Sequence, residues 1–208
     1  MGPKMIDLLR DKKVLFISAH QDDESMYFGG ALTQLKEISI LKVISMTKPG
    51  AKRSDFKHRM GAFLAAVDMV GARYSIYDIE NFRHDTPFKL ACEPQMDEGV
   101  QIIKNEIKIF DPEILITHGK QGDPASAYPD GHIMHKFCNN AVHIANENKL
   151  TVFTSAISLG KGDFTLDYDV EAKRRMLSLY EPFWEPIQRG YSFCYEPEYF
   201  NQELPTMS

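Results

Sequence analysis

The sequence contains no apolar run that approaches the roughly 18 residues needed by a membrane-spanning helix, although 43% of its residues are hydrophobic. Charged side chains interrupt residues 1–13, where an export signal would have an apolar core, so we predict no such signal. Cysteine is scarce, and Cys92, Cys138 and Cys194 lack the spacing of a metal site, which favours buried free thiols in a reducing compartment. We therefore expect a cytoplasmic protein without a transmembrane segment.

Two classes of ligand are disfavoured by what is missing. A formal net charge of −5 at pH 7 argues against nucleic acid as the main partner. The first apolar segment, residues 14–17, is not followed by the three spaced glycines that hold a pyrophosphate, and no phosphate-loop lysine follows it either. We predict no dinucleotide site, and we interpret Gly29 and Gly30 as residues that allow close packing of a helix on a strand.

Apolar segments of strand length alternate with segments of helical periodicity along most of the chain. Strands are predicted at residues 13–19, 40–47, 74–79, 113–118 and 151–157, and helices at 28–37, 57–70, 95–110, 132–147 and 169–179. This alternation is typical of right-handed βαβ units with a mostly parallel sheet. We predict one domain over residues 1–208, with an α/β, Rossmann-like three-layer fold and an irregular tail from residue 181.

A histidine and three carboxylates directly follow the first predicted strand. The segment spans residues 18–24, with the sequence SAHQDDE. Ligands bind at the carboxyl ends of strands in open α/β sheets, and a group of carboxylates there favours a divalent metal as partner. His20 and Asp23 stand three residues apart and can reach one ion, while Asp22 points elsewhere. A solvated acidic turn is the alternative interpretation of this segment alone.

A second polar segment follows the predicted strand that ends at His118. Its glycine-rich loop leads to His132 and His135, which lie three residues apart in the first turn of a predicted helix. Two strand ends that each supply histidine or aspartate form a split ligand set, and catalytic zinc commonly has three such ligands and a water. His118 itself is compatible with a supporting role at this site or with a purely structural one.

Together the two segments resemble the PIG-L/LmbE-like family of zinc-dependent N-acetylglucosaminyl deacetylases. Residues 20–24, HQDDE, resemble the family's His-Pro-Asp-Asp-Glu motif, and residues 132–135, HIMH, resemble its His-Pro-Asp-His motif. Arg59 matches the start of a family helix that ends in Leu-Gly, here Val70-Gly71. The resemblance implies a hydrolase that removes an N-acetyl or related N-acyl group from an amino sugar or glycoside.

The resemblance also implies individual roles. Zinc is expected on His20, Asp23 and His135, and iron, cobalt or nickel would accept the same nitrogen and oxygen ligands. Asp22 is expected to act as general base toward a metal-activated water. His132 is expected as the second catalytic residue, which would stabilise the oxyanion or protonate the leaving amine.

Substrate contacts are expected from Arg59, Asp85 and Tyr128, the last as a donor to the oxyanion. The expected partner is a small-molecule amino sugar. The sequence leaves open which N-acyl sugar or glycoside is used, and whether the protein forms a homo-oligomer.

Two positions depart from the family motifs beside expected site residues. Gln21 replaces the proline of the first motif, which makes the turn less rigid without removing a ligand. Met134 replaces the aspartate of the second motif, which would hold and charge the neighbouring histidine. Unless Asp123 or Asp130 substitutes for that aspartate, the pKa of His132 is expected near its ordinary value of about 6.5 or lower.

Two other function classes stay open. Met134 and Ala62, where the family often has glutamate, favour a non-catalytic zinc-binding carbohydrate-recognition domain of the same fold. A metal-free hydrolase would use Asp22 and Glu24 as an acid and base pair. Carboxyl groups of a glycosidase face each other across the bond at about 5 to 9 Å, and neighbours in one loop are poorly placed for that.

Alanine substitution of His20, Asp23 or His135 should remove most of the bound zinc, because a three-ligand site cannot spare one ligand. Asp22→Ala should keep the metal, because the general base is not a ligand. Metal content of the purified variants measures this division of roles. Equal metal loss in all four variants would show that base and ligands are divided wrongly.

Overall fold

A computed structural model describes residues 4–47, 56–82, 86–123, 130–156, 161–166, 168–180 and 198–205. Within these residues the strands are β1 Lys13–Ser18, β2 Ile40–Thr47, β3 Arg73–Ile79, β4 Ile114–Thr117, β5 Thr151–Ser155, β6 Phe164–Leu166 and β7 Glu198–Glu203. The α-helices are α1 Met5–Leu9, α2 Asp23–Met26, α3 Gly29–Leu35, α4 Phe56–Met69, α5 Phe88–Ala91, α6 Met96–Phe110, α7 Ile133–Asn146 and α8 Val170–Ser178. No helix in these ranges is both long and apolar enough to cross a membrane.

The seven described strands form one sheet in the order β3-β2-β1-β4-β5-β7-β6. Strands β1 to β5 run parallel, whereas β7 pairs antiparallel with both β5 and β6. The predicted α/β, Rossmann-like fold with a mostly parallel sheet is confirmed. The prediction of an irregular tail is wrong for residues 198–203, because these residues form β7, an inner strand of the sheet.

Both faces of the sheet are covered by helices, which explains why its central strands are continuous apolar runs. Val14 and Phe16 of β1 belong to a core shared with α1, α3, α4 and α8. Leu15 and Ile17, which point to the opposite face, belong to a second core shared with α6 and α7. The alternation along a single strand therefore produces the three layers.

A buried ion pair and two backbone hydrogen bonds tie β7 to α8 and to the start of α3. Glu198, at the start of β7, accepts a 2.7 Å hydrogen bond from Nζ of Lys173, and neither side chain is more than 1% exposed. Its carboxylate also accepts from the backbone N–H groups of Gly30 at 2.7 Å and Ala31 at 2.9 Å. A Cβ on Gly30 would lie 2.5 Å from Cδ1 of Tyr168, so this close approach requires glycine.

Replacing Glu198 by glutamine should lower the free energy of unfolding by about 3 kcal/mol, because it leaves the Lys173 ammonium buried without its counter-charge. Glu171→Gln is the matched control, since the pair of Glu171 with Arg174 is exposed, and it should cost less than about 0.5 kcal/mol. Urea denaturation of both variants measures the difference. Equal destabilisation of the two variants would contradict this assignment.

Candidate metal centre

The two polar segments meet at the carboxyl ends of β1 and β4, which are neighbours in the sheet. After β1 the chain adds β2 and β3 on one side of β1, and it then returns to place β4 on the other side of β1, next to β5. The strand order therefore reverses between β1 and β4, and such a reversal opens a crevice where α/β proteins bind ligands. His20 follows β1, His118 follows β4, and His135 lies in the first turn of α7.

Asp23 is the centre of this crevice. It is 3% exposed and accepts a 2.7 Å hydrogen bond from the backbone N–H of His20. Three imidazoles surround its carboxylate: Nδ1 of His20 at 3.2 Å, Nε2 of His118 at 3.2 Å and Nε2 of His135 at 3.4 Å. One buried carboxylate thus faces nitrogen atoms from three separate segments of the chain.

Contacts on the far side of two rings decide which nitrogens face Asp23. Nε2 of His20 lies 3.3 Å from Oδ1 of Asn81, and Nδ1 of His135 lies 3.2 Å from Oδ2 of Asp123. Both partners are hydrogen-bond acceptors, so they hold the proton on those outer nitrogens. Nδ1 of His20 and Nε2 of His135 are then left to bind an ion together with Asp23, an arrangement that metal-ligating histidines commonly have.

His118 contacts the other residues of the site through both ring nitrogens and through its ring face. Its Nδ1 lies 2.7 Å from Oδ2 of Asp123, whose other oxygen accepts from the N–H of Gly119 at 3.2 Å. Its Nε2 accepts a 3.1 Å hydrogen bond from the N–H of Ala19, and its ring stacks on that of His135 with centroids 3.8 Å apart. These contacts favour the supporting role over ligation, because the Nε2 lone pair is already used.

Several combinations of side chains in the crevice bring donor atoms close enough for one ion. Among the residues that the structure describes, three sets of three side chains place one ligand atom each within 4.8 Å of one another: His20, His132 and His135; Asp23, His118 and His135; and His20, Asp22 and Asp23. Every pair within the predicted set of His20, Asp23 and His135 occurs in one of these sets, although the triad itself is not among them. Imidazole nitrogens with a carboxylate oxygen fit zinc and other divalent transition metals.

The electrostatics of the centre favour a positive charge at the same place. Burial alone would raise the pKa of Asp23, but His135, His20 and His118 hold it well below its ordinary value. Burial would lower the pKa of His135, yet the carboxylates of Asp23 and Asp123 raise it to about 10. The crevice therefore stabilises positive charge between the carboxylates of Asp23 and Asp123. A divalent metal ion would supply such a charge.

Asp22 stands beside this set and is held by a cation of its own. Nη1 of Arg59, on α4, lies 3.1 Å from Oδ2 of Asp22, and the two side chains are 15% and 9% exposed. The structure therefore brings Arg59 to the site as the partner of the predicted general base. Contact of Arg59 with substrate stays a prediction. Asp85 and Tyr128, the other predicted substrate contacts, lie outside the described residues.

His132 caps the N-terminus of α7, where its Nδ1 accepts a 3.2 Å hydrogen bond from the N–H of Met134. Its ring centroid lies 4.7 Å from that of His20 and 5.0 Å from that of His135. Burial, followed by the charges of His20 and His135, lowers the pKa of His132 to about 2. The direction agrees with the expectation from the missing aspartate.

The loop carboxylates considered as substitutes for that aspartate are directed elsewhere. Asp123 contacts His118 and His135, so it orients these two rings and not that of His132. Asp130 is exposed. The structure thus gives Asp123 a role that its position in the sequence did not indicate.

Glu24, the third carboxylate of the first segment, turns away from the crevice into the core. It is fully buried and accepts hydrogen bonds from Oγ of Ser25 at 2.7 Å and from the hydroxyl of Tyr180. Burial raises the pKa of Glu24 to about 8. An acid and base pair of Asp22 and Glu24 facing a substrate, as a metal-free hydrolase would require, does not fit this placement.

Comparison with protein families gives a match over most of the chain. The family model described as PIG-L, GlcNAc-PI de-N-acetylase, matches residues 15–146, which include every proposed ligand. No curated protein matches the sequence significantly.

Solved structures share the fold at low sequence identity. A deacetylase of the teicoplanin biosynthesis pathway is 17% identical, with a TM-score of 0.64 over 81% of this chain and 83% of that one. N,N′-diacetylchitobiose deacetylase of Pyrococcus horikoshii is 17% identical, with a TM-score of 0.62 over 93% and 84%. 4-Carboxy-2-hydroxymuconate hydratase of Pseudomonas putida KT2440 is 14% identical, with a TM-score of 0.66 over 95% and 98%. The fold is therefore shared by enzymes of two reaction classes, and the site residues must decide between them.

Restoring the motif aspartate by Met134→Asp should destabilise the protein, because Met134 is fully buried in the apolar core under α7. A carboxylate there would lack a partner and should cost at least about 3 kcal/mol, whereas Met134→Leu should cost less than about 1.5 kcal/mol. Thermal denaturation of the two variants tests this. A Met134→Asp protein as stable as Met134→Leu would show that residue 134 can face the loop instead.

Proposed function

Because the chain belongs to the PIG-L family of GlcNAc-PI de-N-acetylases, we propose that it is a metal-dependent amide hydrolase that removes an N-acetyl, or related N-acyl, group from an amino sugar or its glycoside. The proposed ion is zinc, and other divalent transition metals suit the same donors. The observation that carries the proposal is the arrangement around Asp23. Asn81 and Asp123 contact the outer nitrogens of His20 and His135, so that the other nitrogen of each ring faces this carboxylate.

The residues divide into ligands and catalytic groups. When bound to His20, Asp23 and His135, the ion would polarise the amide carbonyl and lower the pKa of a water molecule. Asp22 accepts the proton of the attacking water as general base. The Arg59 guanidinium holds the Asp22 carboxylate in its orientation.

His132 acts at the other end of the scissile bond. Its Nδ1 already accepts the N–H of Met134, so Nε2 is the atom that donates to the developing oxyanion or to the leaving nitrogen. The family match supports this assignment of the reaction class.

The alternative of a non-catalytic carbohydrate-binding domain loses part of its basis. Ala62 is 6% exposed and belongs to the apolar core of α4, and Met134 is buried under α7. The side chains at both departures from the family pattern therefore take part in the packing of helices. The residues that we propose as base, ligands and second catalytic histidine lie together in the crevice, which supports an enzyme.

The test is release of free amine from N-acetylglucosamine, N,N′-diacetylchitobiose and an N-acetylglucosaminide by the metal-loaded protein. Asp22→Asn should lower kcat by at least about 100-fold while the protein keeps its metal, because the substitution removes the general base but none of the proposed ligands. Asp68→Asn, an exposed substitution on α4, is the matched control and should behave as wild type.

Two outcomes would contradict the proposal. Amine release that Asp22→Asn leaves unchanged would remove Asp22 from the mechanism. Binding of all three sugars by metal-loaded protein, without amine release from any of them, would favour the non-catalytic domain.

A further inference from the structure

We propose that the side-chain amide of Gln21 positions His20 for metal binding by tying the loop after β1 to the end of β2. The inference rests on the metal centre proposed above, and it concerns the residue at which the first motif departs from its family pattern. Gln21 would be a positioning residue, because it acts on the centre through the backbone of its neighbour.

The amide of Gln21 is buried and fully used as a donor. The residue is 1% exposed, and its Nε2 donates to Oγ of Ser45 at 2.7 Å and to the backbone carbonyl of Thr47. A carboxamide nitrogen carries two protons, and these two acceptors account for both. Ser45 also donates to the Thr47 carbonyl at 3.2 Å, so the three residues form one network.

A second connection fixes the other side of His20. The carbonyl of Ala19 accepts from the backbone N–H of Thr47 at 3.0 Å and from its Oγ1 at 2.7 Å. His20 therefore lies between two residues that are each bonded to the same strand end. Its own N–H donates to Asp23 at 2.7 Å, which couples this restrained backbone to the carboxylate at the centre.

Glutamine and proline would restrain this loop by different means. Proline fixes φ near −65° through its ring, whereas Gln21 fixes the backbone through hydrogen bonds that its side chain makes to β2. Those bonds need a donor. A glutamate could only accept, and it would face the Thr47 carbonyl oxygen, while a methionine would fill the space without bonding.

The experiment measures affinity for Zn²⁺ and Co²⁺ by competition with a chelator, without any substrate. Gln21→Met should weaken binding about 10-fold or more, which is the usual cost of losing support behind a metal ligand. Gln21→Glu should weaken binding at least as much. Gln21→Pro should stay close to wild type, because the ring restores the restraint, and Gln101→Met on the exposed face of α6 should change nothing.

Ser45→Ala removes an acceptor without changing the loop sequence, so it keeps the proposal testable if Gln21→Met does not fold. Ser45→Ala should weaken metal binding in the same direction. In the double variant, the losses of metal affinity from Ser45→Ala and Gln21→Met should be less than additive. Both changes break the same hydrogen bond, from Nε2 of Gln21 to Oγ of Ser45. Thermal melts of the metal-free variants establish that the compared proteins are folded.

Wild-type metal affinity in folded Gln21→Met, or in Ser45→Ala where Gln21→Met does not fold, would overturn the proposal. Because the assay needs no turnover, a protein that binds metal in this pattern but hydrolyses no amide would refute the deacetylase function and support the role of Gln21. A wild-type protein that binds neither ion would overturn the metal centre and this inference together.

Discussion

The architecture of the crevice depends on one buried carboxylate. Asp23 is surrounded by three imidazoles, and a carboxylate in such a place is stable only while positive charge stays beside it. The neighbouring contacts serve this requirement. Asp123 orients the ring of His135, and Asn81 orients that of His20. The backbone N–H of Ala19 donates to Nε2 of the third ring, that of His118. A divalent ion would supply this positive charge without protonated imidazoles, and the imidazole nitrogens could then bind the ion.

Local patterns predicted the parallel strands and the residues at their carboxyl ends, and they failed where partners are distant in sequence. Apolar runs located β1 and β4, and their ends located His20 and His118, because the carboxyl edge of a parallel sheet is set by strand direction alone. Asn81 had one available signal, its place just after β3 at the same edge. Nothing local pairs residues 198–203 with β5, because sheet register is decided by packing of the whole domain.

The departures from the family motifs show why a motif position is not the same as a site position. Residues three or four apart share a helix face, so His132 and His135 reach the crevice while Met134 between them faces the core. Its replacement of aspartate therefore changes the packing of α7 more than the chemistry of the crevice. Gln21 is the opposite case. Its side chain bonds to β2, so an apparent loss of rigidity is offset by hydrogen bonds that no motif encodes.

The placement of β7 has a consequence for synthesis on the ribosome. β6 joins the sheet only through β7 among the described strands, and Glu198 bonds to Gly30, 168 residues earlier in the chain. Strands β1 to β5 can pair as they emerge, but the Glu198 carboxylate, which accepts from the backbone at the start of α3, is synthesised after all of them. Lys173 must wait for its counter-charge until then. The pairing of β7 and its contacts with α3 and α8 therefore cannot form until residue 198 has left the ribosome, and contacts of such separation form slowly.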